Sequence, residues 1–442
     1  MKSNTWRETT LGELADFING DRGKNYPGVA DRVDVGIPFI NTGHILPSGR
    51  LTQDDMDYIT SEKYNQLGSG KVRPGDIVYC LRGSTIGKTA RNHYEEGAIA
   101  SSLVIVRAKP EVNQDYLYYF LTSPAGQQLA KSNDNGSAQP NLSAKTLSKY
   151  PLLVPNVEEQ ESIVNTLNAI DNKIEVNTKL NQTLEQMAQA TFKSWFVDFD
   201  PVKAKMNGEQ PEGMDAATAS LFPEKLVESE LGLIPEGWEA SKLENLVDIA
   251  SSKRVFAKEY LEEGVPFYRG KEITELSKGN SVTPEIYISE ERYQELKDKA
   301  GAPKEGDILI TSVGTIGNTY LVDSDDKFYF KDGNLTWVKD YKGEEIPYFL
   351  MEWFKSAVGK CAIENIKIGS TQQAITIKSL NGIKLVNPSN DVHKNFTKLI
   401  EPLYRKHRAN IKQSKALANL RDTLLPKLLS GEIELETATE NK

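Results

Sequence analysis

The segment Gly83-Ser84-Thr85-Ile86-Gly87-Lys88-Thr89 returns in the second half of the chain as Val313-Gly314-Thr315-Ile316-Gly317-Asn318-Thr319. Self-similarity at a fixed offset indicates a fold built from repeated units. Other landmarks recur in the same order at offsets near 230: Trp6 with Trp238, 36–40 with 264–268, 74–78 with 305–309, 136–139 with 369–372, and Pro155 with Pro388. The 442-residue chain is therefore predicted to be a tandem duplication, and its length exceeds that of most single domains.

Each half has the same arrangement of secondary-structure signals. Short apolar runs such as Leu103-Val104-Ile105-Val106 are separated by Gly and Pro, which is typical of strands and turns. A helical stretch interrupts the runs at 114–121 in the first half and at 347–355 in the second, and a long helix follows Pro155 and Pro388. The pattern predicts an α+β fold, in which two mixed α/β domains are each followed by a long α-helix.

Both long helices carry residues that step alternately by 4 and 3, which is the seam of a coiled coil. The second series is displaced from the first by 233 residues. The two seams run through Ile163, Leu167, Ile170, Ile174, Asn177, Asn181, Leu184, Ala188, Thr191 and Trp195, and through Phe396, Ile400, Leu403, His407, Asn410, Ser414, Leu417, Arg421, Leu424 and Leu428. At about 1.5 Å per residue, a helix of this length spans roughly 60 Å, so it is predicted to act as a spacer.

The polar middle of the two seams predicts how the helices pair. A tandem duplication tends to fold about a pseudo-twofold axis, so we expect an antiparallel coiled coil with Asn177 close to Asn410. Asn181 and Ser414 complete the polar layer. A buried polar layer costs some stability but fixes the register of a coiled coil.

These patterns divide the chain into six segments. They are a first domain (1–155), a central long helix (156–200), a connector (201–235), a second domain (236–390), a distal long helix (391–431) and a C-terminal tail (432–442). The connector is predicted to be irregular because it is rich in turn and helix-breaking residues: Asn207, Gly208, Pro211, Gly213 and Pro223.

The net charge of −9 is unusual for a protein that would neutralise many phosphates by itself. Residues 1–155 carry 17 basic and 16 acidic side chains, whereas residues 236–390 carry 20 and 25. The chain therefore either makes no contact with DNA or depends on a partner for much of its phosphate binding. Two cysteines, no long apolar run and no secretory signal indicate a reduced, cytoplasmic protein without a membrane segment.

Motifs that would indicate catalysis are incomplete. The segment 83–89 resembles a phosphate-binding P-loop, but Arg82 stands where the first glycine is required, and Asn318 replaces Lys88 in the repeat. Asn387-Pro388-Ser389-Asn390 lacks the aromatic residue of the amino-methyltransferase tetrapeptide. The four histidines are scattered, so we predict neither a metal site nor catalytic residues.

Polar loops on the duplicated scaffold are the candidate contacts with DNA. Asn and Gln can pair with adenine, and Arg or Lys with guanine, in the major groove. The candidates are Asn41, Thr42, His44, Arg82, Ser84, Thr85, Lys88, Gln139 and Asn141 in the first half, and Arg269, Lys271, Ser312, Thr315, Asn318, Ser370, Gln372 and Gln373 in the second.

Three stretches carry a family resemblance. Residues 187–203, Met-Ala-Gln-Ala-Thr-Phe-Lys-Ser-Trp-Phe-Val-Asp-Phe-Asp-Pro-Val-Lys, resemble the end of the central conserved region of the specificity subunits of type I restriction–modification enzymes. Residues 232–238, Gly-Leu-Ile-Pro-Glu-Gly-Trp, resemble the entry to the second target-recognition domain of that family, and residues 425–433 resemble its closing segment.

The resemblance implies a non-catalytic subunit that recognises double-stranded DNA. Each target-recognition domain would recognise one half of a gapped target, while the helices set the spacer and dock two methyltransferase subunits. Restriction subunits would join this core. The resemblance places S-adenosylmethionine, ATP and Mg in those partners, with no cofactor bound by this chain.

Two other interpretations stay open at this point. The first is a self-contained enzyme, either a DNA methyltransferase or a nucleotide-dependent enzyme, which cofactor binding by the isolated chain would reveal. The second is a coiled-coil adaptor that does not bind DNA, which would not retain a gapped duplex in preference to a scrambled one.

Overall fold

The computed structural model describes residues 6–132, 141–343, 345–370 and 372–435. The chain divides into two compact units: unit 1 comprises Met1–Ile174 and Ala416–Lys442, and unit 2 comprises Glu175–Lys415. Within the described ranges, no helix is both long and apolar enough to cross a membrane.

Unit 1 is a strand-rich domain with five short helices. Its strands are β1 (Arg7–Thr10), β2 (Ala15–Asn19), β3 (Arg32–Val33), β4 (Ile37–Ile40), β5 (Tyr58–Ile59), β6 (Ile77–Cys80), β7 (Thr89–Arg91), β8 (Ala98–Ile99), β9 (Leu103–Ala108) and β10 (Pro151–Val154). Its short helices are α1 (Leu11–Leu14), α2 (Ser61–Gln66), α3 (Gln114–Thr122), α4 (Pro124–Ser132) and α5 (Ala144–Leu147).

The long helix α6 (Val157–Phe196) follows, and unit 2 then repeats the domain. Its strands are β11 (Leu226–Ser229), β12 (Gly232–Pro235), β13 (Glu239–Lys242), β14 (Asp248–Ala250), β15 (Val265–Tyr268), β16 (Tyr287–Ile288), β17 (Ile308–Thr311), β18 (Thr319–Leu321), β19 (Tyr329–Phe330), β20 (Leu335–Lys339) and β21 (Lys384–Asn387). Its helices are α7 (Asp200–Met206), α8 (Ala216–Ser220), α9 (Gly270–Ser277), α10 (Glu290–Ala300), α11 (Ile346–Lys355), α12 (Ala357–Asn365) and α13 (Ile377–Asn381). The second long helix, α14 (Asn390–Leu429), begins in unit 2 and ends in unit 1, as α6 begins in unit 1 and ends in unit 2.

The sheets of the two units share one topology. The antiparallel order β2-β9-β6-β7 in unit 1 is repeated as β14-β20-β17-β18 in unit 2. The parallel pair β4 and β8 is repeated as β15 and β19, and the antiparallel pair β1 and β10 as β13 and β21. The duplication inferred from the sequence landmarks is therefore also a duplication of structure.

One of the two inner strands of each four-stranded antiparallel sheet, β6 in unit 1 and β17 in unit 2, is covered on both faces. All four residues of β6 are buried, with Ile77 and Tyr79 in one apolar cluster and Val78 and Cys80 in another. The side chains of a strand point alternately to opposite faces of the sheet, so a run of apolar residues without alternation indicates a strand that is buried on both sides.

The segment 201–235 is packed, in contrast to the irregular connector that its composition predicts. It forms α8, the hairpin of β11 and β12, and most of α7, and its Val202 and Phe222 side chains are buried in the main core of unit 2. The helix-breaking residues mark the ends of these short elements: Pro201 lies in the first turn of α7, and Gly208 follows that helix with a φ of +75°.

The C-terminal part of α6 supplies aromatic side chains to the core of unit 2. The ring of Phe192 lies 5.6 Å from that of Phe349 on α11 and 6.0 Å from that of Phe396 on α14. Phe196 packs against the same two rings, at 5.0 and 4.9 Å. Aromatic pairs at these separations add to the stabilisation from apolar burial.

A tyrosine–carboxylate hydrogen bond joins each domain to the long helix that follows it. In unit 1, the hydroxyl of Tyr119 on α3 donates to Asp171 Oδ2 on α6 at 2.8 Å. In unit 2, the hydroxyl of Tyr404 on α14 donates to Glu352 on α11. Residues 119 and 352 are equivalent at the offset of 233, as are 171 and 404, so the two side-chain types have exchanged places between the units.

Replacement of Phe192 by alanine should destabilise unit 2 by about 3–5 kcal/mol, because it leaves a cavity among packed rings. Urea unfolding followed by tryptophan fluorescence measures the change. Met187→Ala is a matched control on the same helix, since half of the Met187 side chain is exposed. Equal losses in the two variants would contradict the packing described for Phe192.

Replacement of Glu352 by glutamine should raise the melting temperature more at pH 8 than at pH 5. Burial raises the pKa of Glu352, so the folded state holds this proton more tightly than the unfolded state. The stability that the proton contributes is lost as the pH rises through the raised pKa, and an uncharged side chain avoids that loss. Glu305→Gln, at an exposed position, should show no such pH dependence.

Candidate nucleic-acid interface

The loop between β6 and β7 in unit 1 and the loop between β17 and β18 in unit 2 are strand–turn–strand corners. Gly83 and Gly87 have φ values of +80° and +86°, and Gly314 and Gly317 have values of +78° and +91°. Glycine adopts this left-handed region without steric cost, so these positions allow the chain to turn sharply between two strands. A P-loop leads from a strand into a helix, whereas this loop leads into β7, so the nucleotide-binding alternative does not fit the fold.

The loop is one residue shorter in unit 2 than in unit 1. The amide of Cys80 donates to Lys88 O at 2.8 Å, and the amide of Thr311 donates to Asn318 O at 2.9 Å, so these bonds delimit equivalent loops. Gly83 is therefore equivalent to Gly314, and Ser84 has no counterpart. This corrects the residue-by-residue match of 83–89 with 313–319, because Arg82 and not Gly83 is the counterpart of Val313.

Three backbone hydrogen bonds bring the candidate loops of unit 1 together. Ala100 N donates to Ile40 O at 2.8 Å, Leu81 N to Ser102 O at 2.9 Å, and Leu142 N to Leu81 O at 2.8 Å. The loops that continue from these residues therefore lie side by side. They form what we call the unit 1 loop edge: residues 41–44, 82–88, 100–102 and 141.

The same three bonds occur in unit 2. Lys331 N donates to Tyr268 O at 2.9 Å, Ser312 N to Asn334 O at 2.8 Å, and Ile375 N to Ser312 O at 3.0 Å. They form the unit 2 loop edge: residues 269–271, 313–318, 331–334, 370 and 372–374. Loops that sequence analysis selected one by one thus assemble into equivalent surfaces.

Sequence analysis missed the middle loop of each edge and an arginine beside it. The exposed Arg22 extends to Ser101 O, with a distance of 3.4 Å from Nη2. The exposed Arg254 contacts Asp332 Oδ2 through Nε at 2.9 Å. The two arginines are 232 residues apart, which is the offset between Trp6 and Trp238, so the repeat contained the signal for this pair.

Asn41 and His44 shape their own loop. Asn41 Oδ1 accepts from Gly43 N at 2.7 Å, and Asn41 Nδ2 donates to Asp57 Oδ2 at 2.8 Å. The ring of His44 is buried and bonds to Asn41 N and to Asp55 O, both at 3.1 Å. A buried, bonded ring cannot reach a base, so the prediction of His44 as a DNA contact is withdrawn.

Ser312 is also a structural residue. Its side chain is buried, and its hydroxyl lies 2.5 Å from that of Thr336 on β20. Ser312 is the last buried residue before the unit 2 loop edge begins at residue 313. The prediction of Ser312 as a DNA contact is therefore withdrawn as well.

The remaining candidates lie at or near the surface of the two loop edges. Those with exposed side chains are Ser84, Lys88, Asn141, Lys271, Thr315, Ser370, Gln372 and Gln373. Those with half-buried side chains are Asn41, Thr42, Arg82, Thr85, Arg269 and Asn318. Gln139 lies outside the described residues.

Hydrogen bonds hold the turn of the unit 2 edge in place. The hydroxyls of Thr315 and Thr274 lie 2.9 Å apart, and Asn318 Nδ2 donates to Thr274 Oγ1 at 3.1 Å. Thr274 lies on α9, which begins at the loop edge. Its hydrogen bonds hold the loop that contains Thr315 and Asn318 against this helix. Polar groups fixed in this way can pair with a ligand at little cost in conformational entropy.

Two basic side chains of the unit 2 edge are bound to carboxylates. Arg269 Nη2 lies 2.8 Å from Glu272 Oε1 and 2.7 Å from Glu285 Oε2, and Lys271 Nζ lies 2.6 Å from Glu285 Oε1. Hydrogen bonds from Lys271 and Arg269 lower the pKa of Glu285 to about 2, so this carboxylate is charged at neutral pH. Among the described residues, no group of three or more His, Cys, Asp or Glu side chains is arranged to hold a metal ion.

Two strand-rich units with equivalent loop edges define a duplicated binding domain, and a family model identifies it. The model described as "Type I restriction modification DNA specificity domain" matches residues 3–186 and again residues 235–418. The chain belongs to this family and contains two copies of its domain. This agrees with the resemblance found in the sequence, and it does not fit an adaptor that does not bind DNA or a self-contained methyltransferase.

Individual relatives are similar over most of their length. The chain is 26% identical over 478 residues to the type I restriction enzyme HindI specificity subunit of Haemophilus influenzae, across 97% of this chain and 99% of that protein. It is 28% identical over 330 residues to the MjaIX specificity subunit of Methanocaldococcus jannaschii, across 74% of this chain and 71% of that protein. The solved S subunit of a type I restriction–modification system from M. genitalium has the same fold, with a TM-score of 0.57 at 19% identity and 97% coverage of both chains.

Ser312→Ala should destabilise unit 2 by about 1–3 kcal/mol, because it leaves the buried Thr336 hydroxyl without a partner. Ser84→Ala, at an exposed position of the unit 1 edge, should change stability by no more than about 0.5 kcal/mol. Urea unfolding of both variants distinguishes a structural candidate from a surface candidate. A stable Ser312→Ala variant would return that residue to the list of possible DNA contacts.

Proposed function

We propose that each unit recognises one half of a gapped double-stranded DNA target through its loop edge. The chain is then the specificity subunit of a type I restriction–modification complex, a DNA-recognition subunit without catalysis of its own. The observation that carries the proposal is the pair of equivalent loop edges, one in each copy of the family domain.

The chemistry of the two edges suits recognition of base edges. Gln372 and Gln373 in unit 2 and Asn141 in unit 1 are exposed amides, which can pair with adenine through one donor and one acceptor. The guanidinium of Arg82 has the geometry for the two acceptors of guanine. The exposed hydroxyl of Ser84 can serve as donor or acceptor to a base or a phosphate.

Partner subunits complete the proposed complex. We place two methyltransferase subunits on the long helices and restriction subunits around that core, so that S-adenosylmethionine, ATP and Mg belong to the partners. The net charge of −9 supports this division, because a chain with an acidic balance needs partners to supply much of the phosphate binding.

The long helices are proposed to pair as an antiparallel coiled coil. Two hydrogen-bonded contacts within unit 2 support this pairing: Asn177 Nδ2 donates to Gln413 Oε1 at 2.9 Å, and Asn410 Nδ2 donates to Asn181 Oδ1 at 2.8 Å. A residue further along α6 thus meets a residue further back on α14, which is the antiparallel order. Within unit 1, Asp171 lies 2.9 Å from Arg421, in keeping with the same order.

The polar layer of this coiled coil is proposed to fix the register. Asn177 and Asn410 are buried, and Asn177 Nδ2 lies 3.2 Å from Ser414 Oγ and 3.5 Å from Asn410 O. A shift by one heptad would move a helix by about 10 Å, or some three base pairs of B-DNA. The register would therefore determine the length of the target gap.

Replacement of both Asn177 and Asn410 by leucine should stabilise the paired helices but loosen the permitted gap, because an apolar seam accepts several registers. The measurement is binding of duplexes whose spacer is lengthened or shortened by one to three base pairs. Replacement of the exposed Val176 by asparagine is the control outside the seam. An unchanged spacer preference in the double variant would contradict the proposed role of the layer.

Exchange of residues 1–155 for the first domain of another family member should change one half of the methylated target and leave the other half unchanged. Each loop edge is built entirely within one unit, so neither depends on side chains of the other. Sequencing of methylated sites in cells that express the hybrid complex measures both halves. A change in both halves would disprove the assignment of one unit to each half-site.

A further inference from the structure

The two loop edges differ in whether their basic side chains are paired with carboxylates. On the unit 1 edge, Lys88 is exposed, and the part of the chain that the structure describes places no carboxylate within ion-pair distance of it. Arg82 has no ion pair with a described residue either, and its Nε is buried without a hydrogen-bond partner. Among the described residues, the guanidinium of Arg22 makes one polar contact, with the carbonyl of Ser101. Three cations of this edge are therefore available to an anionic ligand.

The equivalent positions of unit 2 are neutral or already neutralised. Val313 replaces Arg82, and Asn318 replaces Lys88. Arg254, the counterpart of Arg22, is paired with Asp332, whose side chain is only 17% exposed. Two of the three further cations, Arg269 and Lys271, share the carboxylate of Glu285, and Arg269 also binds the buried Glu272. The third, Lys331, is half-buried at this edge and has no ion pair with a described residue.

The net charges of the two domains also make the first domain the more basic one. Residues 1–155 have a net charge of +1, whereas residues 236–390 have a net charge of −5. A cation that is paired with a carboxylate must lose that partner before it binds a phosphate, or it brings the carboxylate close to the phosphate. A free cation displaces condensed counterions directly, and each such contact adds to the salt dependence of binding.

We propose that unit 1 supplies most of the phosphate contacts made by this chain, whereas unit 2 recognises its half-site mainly through neutral side chains such as Thr315, Asn318 and Gln372. In unit 2, Glu285 keeps Arg269 and Lys271 from binding the DNA backbone. This inference rests on the proposed function, since it assigns unequal roles to the two loop edges.

The test compares matched double variants in the complex assembled with methyltransferase subunits. The probe is a duplex that carries the target defined by the methylated adenines of the host genome, and a scrambled duplex is the reference. Binding is measured by fluorescence anisotropy at several salt concentrations. Arg22→Ala with Lys88→Ala removes two free cations of unit 1, and Arg254→Ala with Lys271→Ala removes two paired cations of unit 2.

The unit 1 double variant should reduce the slope of log K against log salt by about 1.8, since each phosphate contact contributes about 0.9. The unit 2 double variant should change the slope by less than about 0.5, because its cations contribute few phosphate contacts. The charge-conserving pair Arg22→Lys with Lys88→Arg should retain the wild-type slope. Equal changes in the two alanine variants, or a larger change for unit 2, would overturn the inference.

A third variant tests the role of Glu285 by gain of function. Glu285→Gln releases Lys271 and one bond of Arg269, so the slope should become steeper by up to about 1 to 2, with tighter binding at low salt. An unchanged slope would show that these cations do not face DNA. If the wild-type complex does not prefer the target to the scrambled duplex, the proposed function fails; if it does and the slopes disagree with these values, only this inference fails.

Discussion

A hydrogen bond between a tyrosine and a carboxylate fixes each strand-rich domain to the long helix that follows it in the chain. Tyr119 bonds to Asp171 in unit 1, and Tyr404 bonds to Glu352 in unit 2. Both bonds are partly buried, and each carboxylate has a second partner: Arg421 contacts Asp171, and Gln189 donates to Glu352. The loop edges continue from the sheets, and α3 and α11 link each domain to its long helix through this bond and through the apolar packing around it.

The predictions that agree with the structure concern stretches whose backbone conformation is determined by the local sequence. The predicted helical stretches 114–121 and 347–355 agree closely with α3 and α11, and the long helices begin within two residues of Pro155 and Pro388. The glycines of the β6–β7 loop have the positive φ values expected of a corner. In each case a short stretch of sequence determines the backbone conformation, so distant contacts are not needed to infer it.

The errors arose where tertiary packing determines the outcome. The segment 201–235 was predicted to be irregular from its helix-breaking residues, but Val202 and Phe222 anchor it in the core. His44 and Ser312 look like loop residues in the sequence, yet both are buried: His44 bonds to Asn41 and Asp55 within its own loop region, and Ser312 bonds to Thr336 on β20. The β17–β18 loop is one residue shorter than the β6–β7 loop, and this difference became evident only from the hydrogen bonds that close the two loops.

The exchanged tyrosine and carboxylate restrict how such a chain can recombine. If the second domain were transferred to the first position, Glu352 would face the carboxylate of Asp171, so two carboxyl groups would stand where a tyrosine and a carboxylate now pair. If the first domain were transferred to the second position, Tyr119 would face Tyr404 and lose the carboxylate that accepts its hydroxyl. In this chain, a change of domain position would therefore require a compensating substitution on the helix.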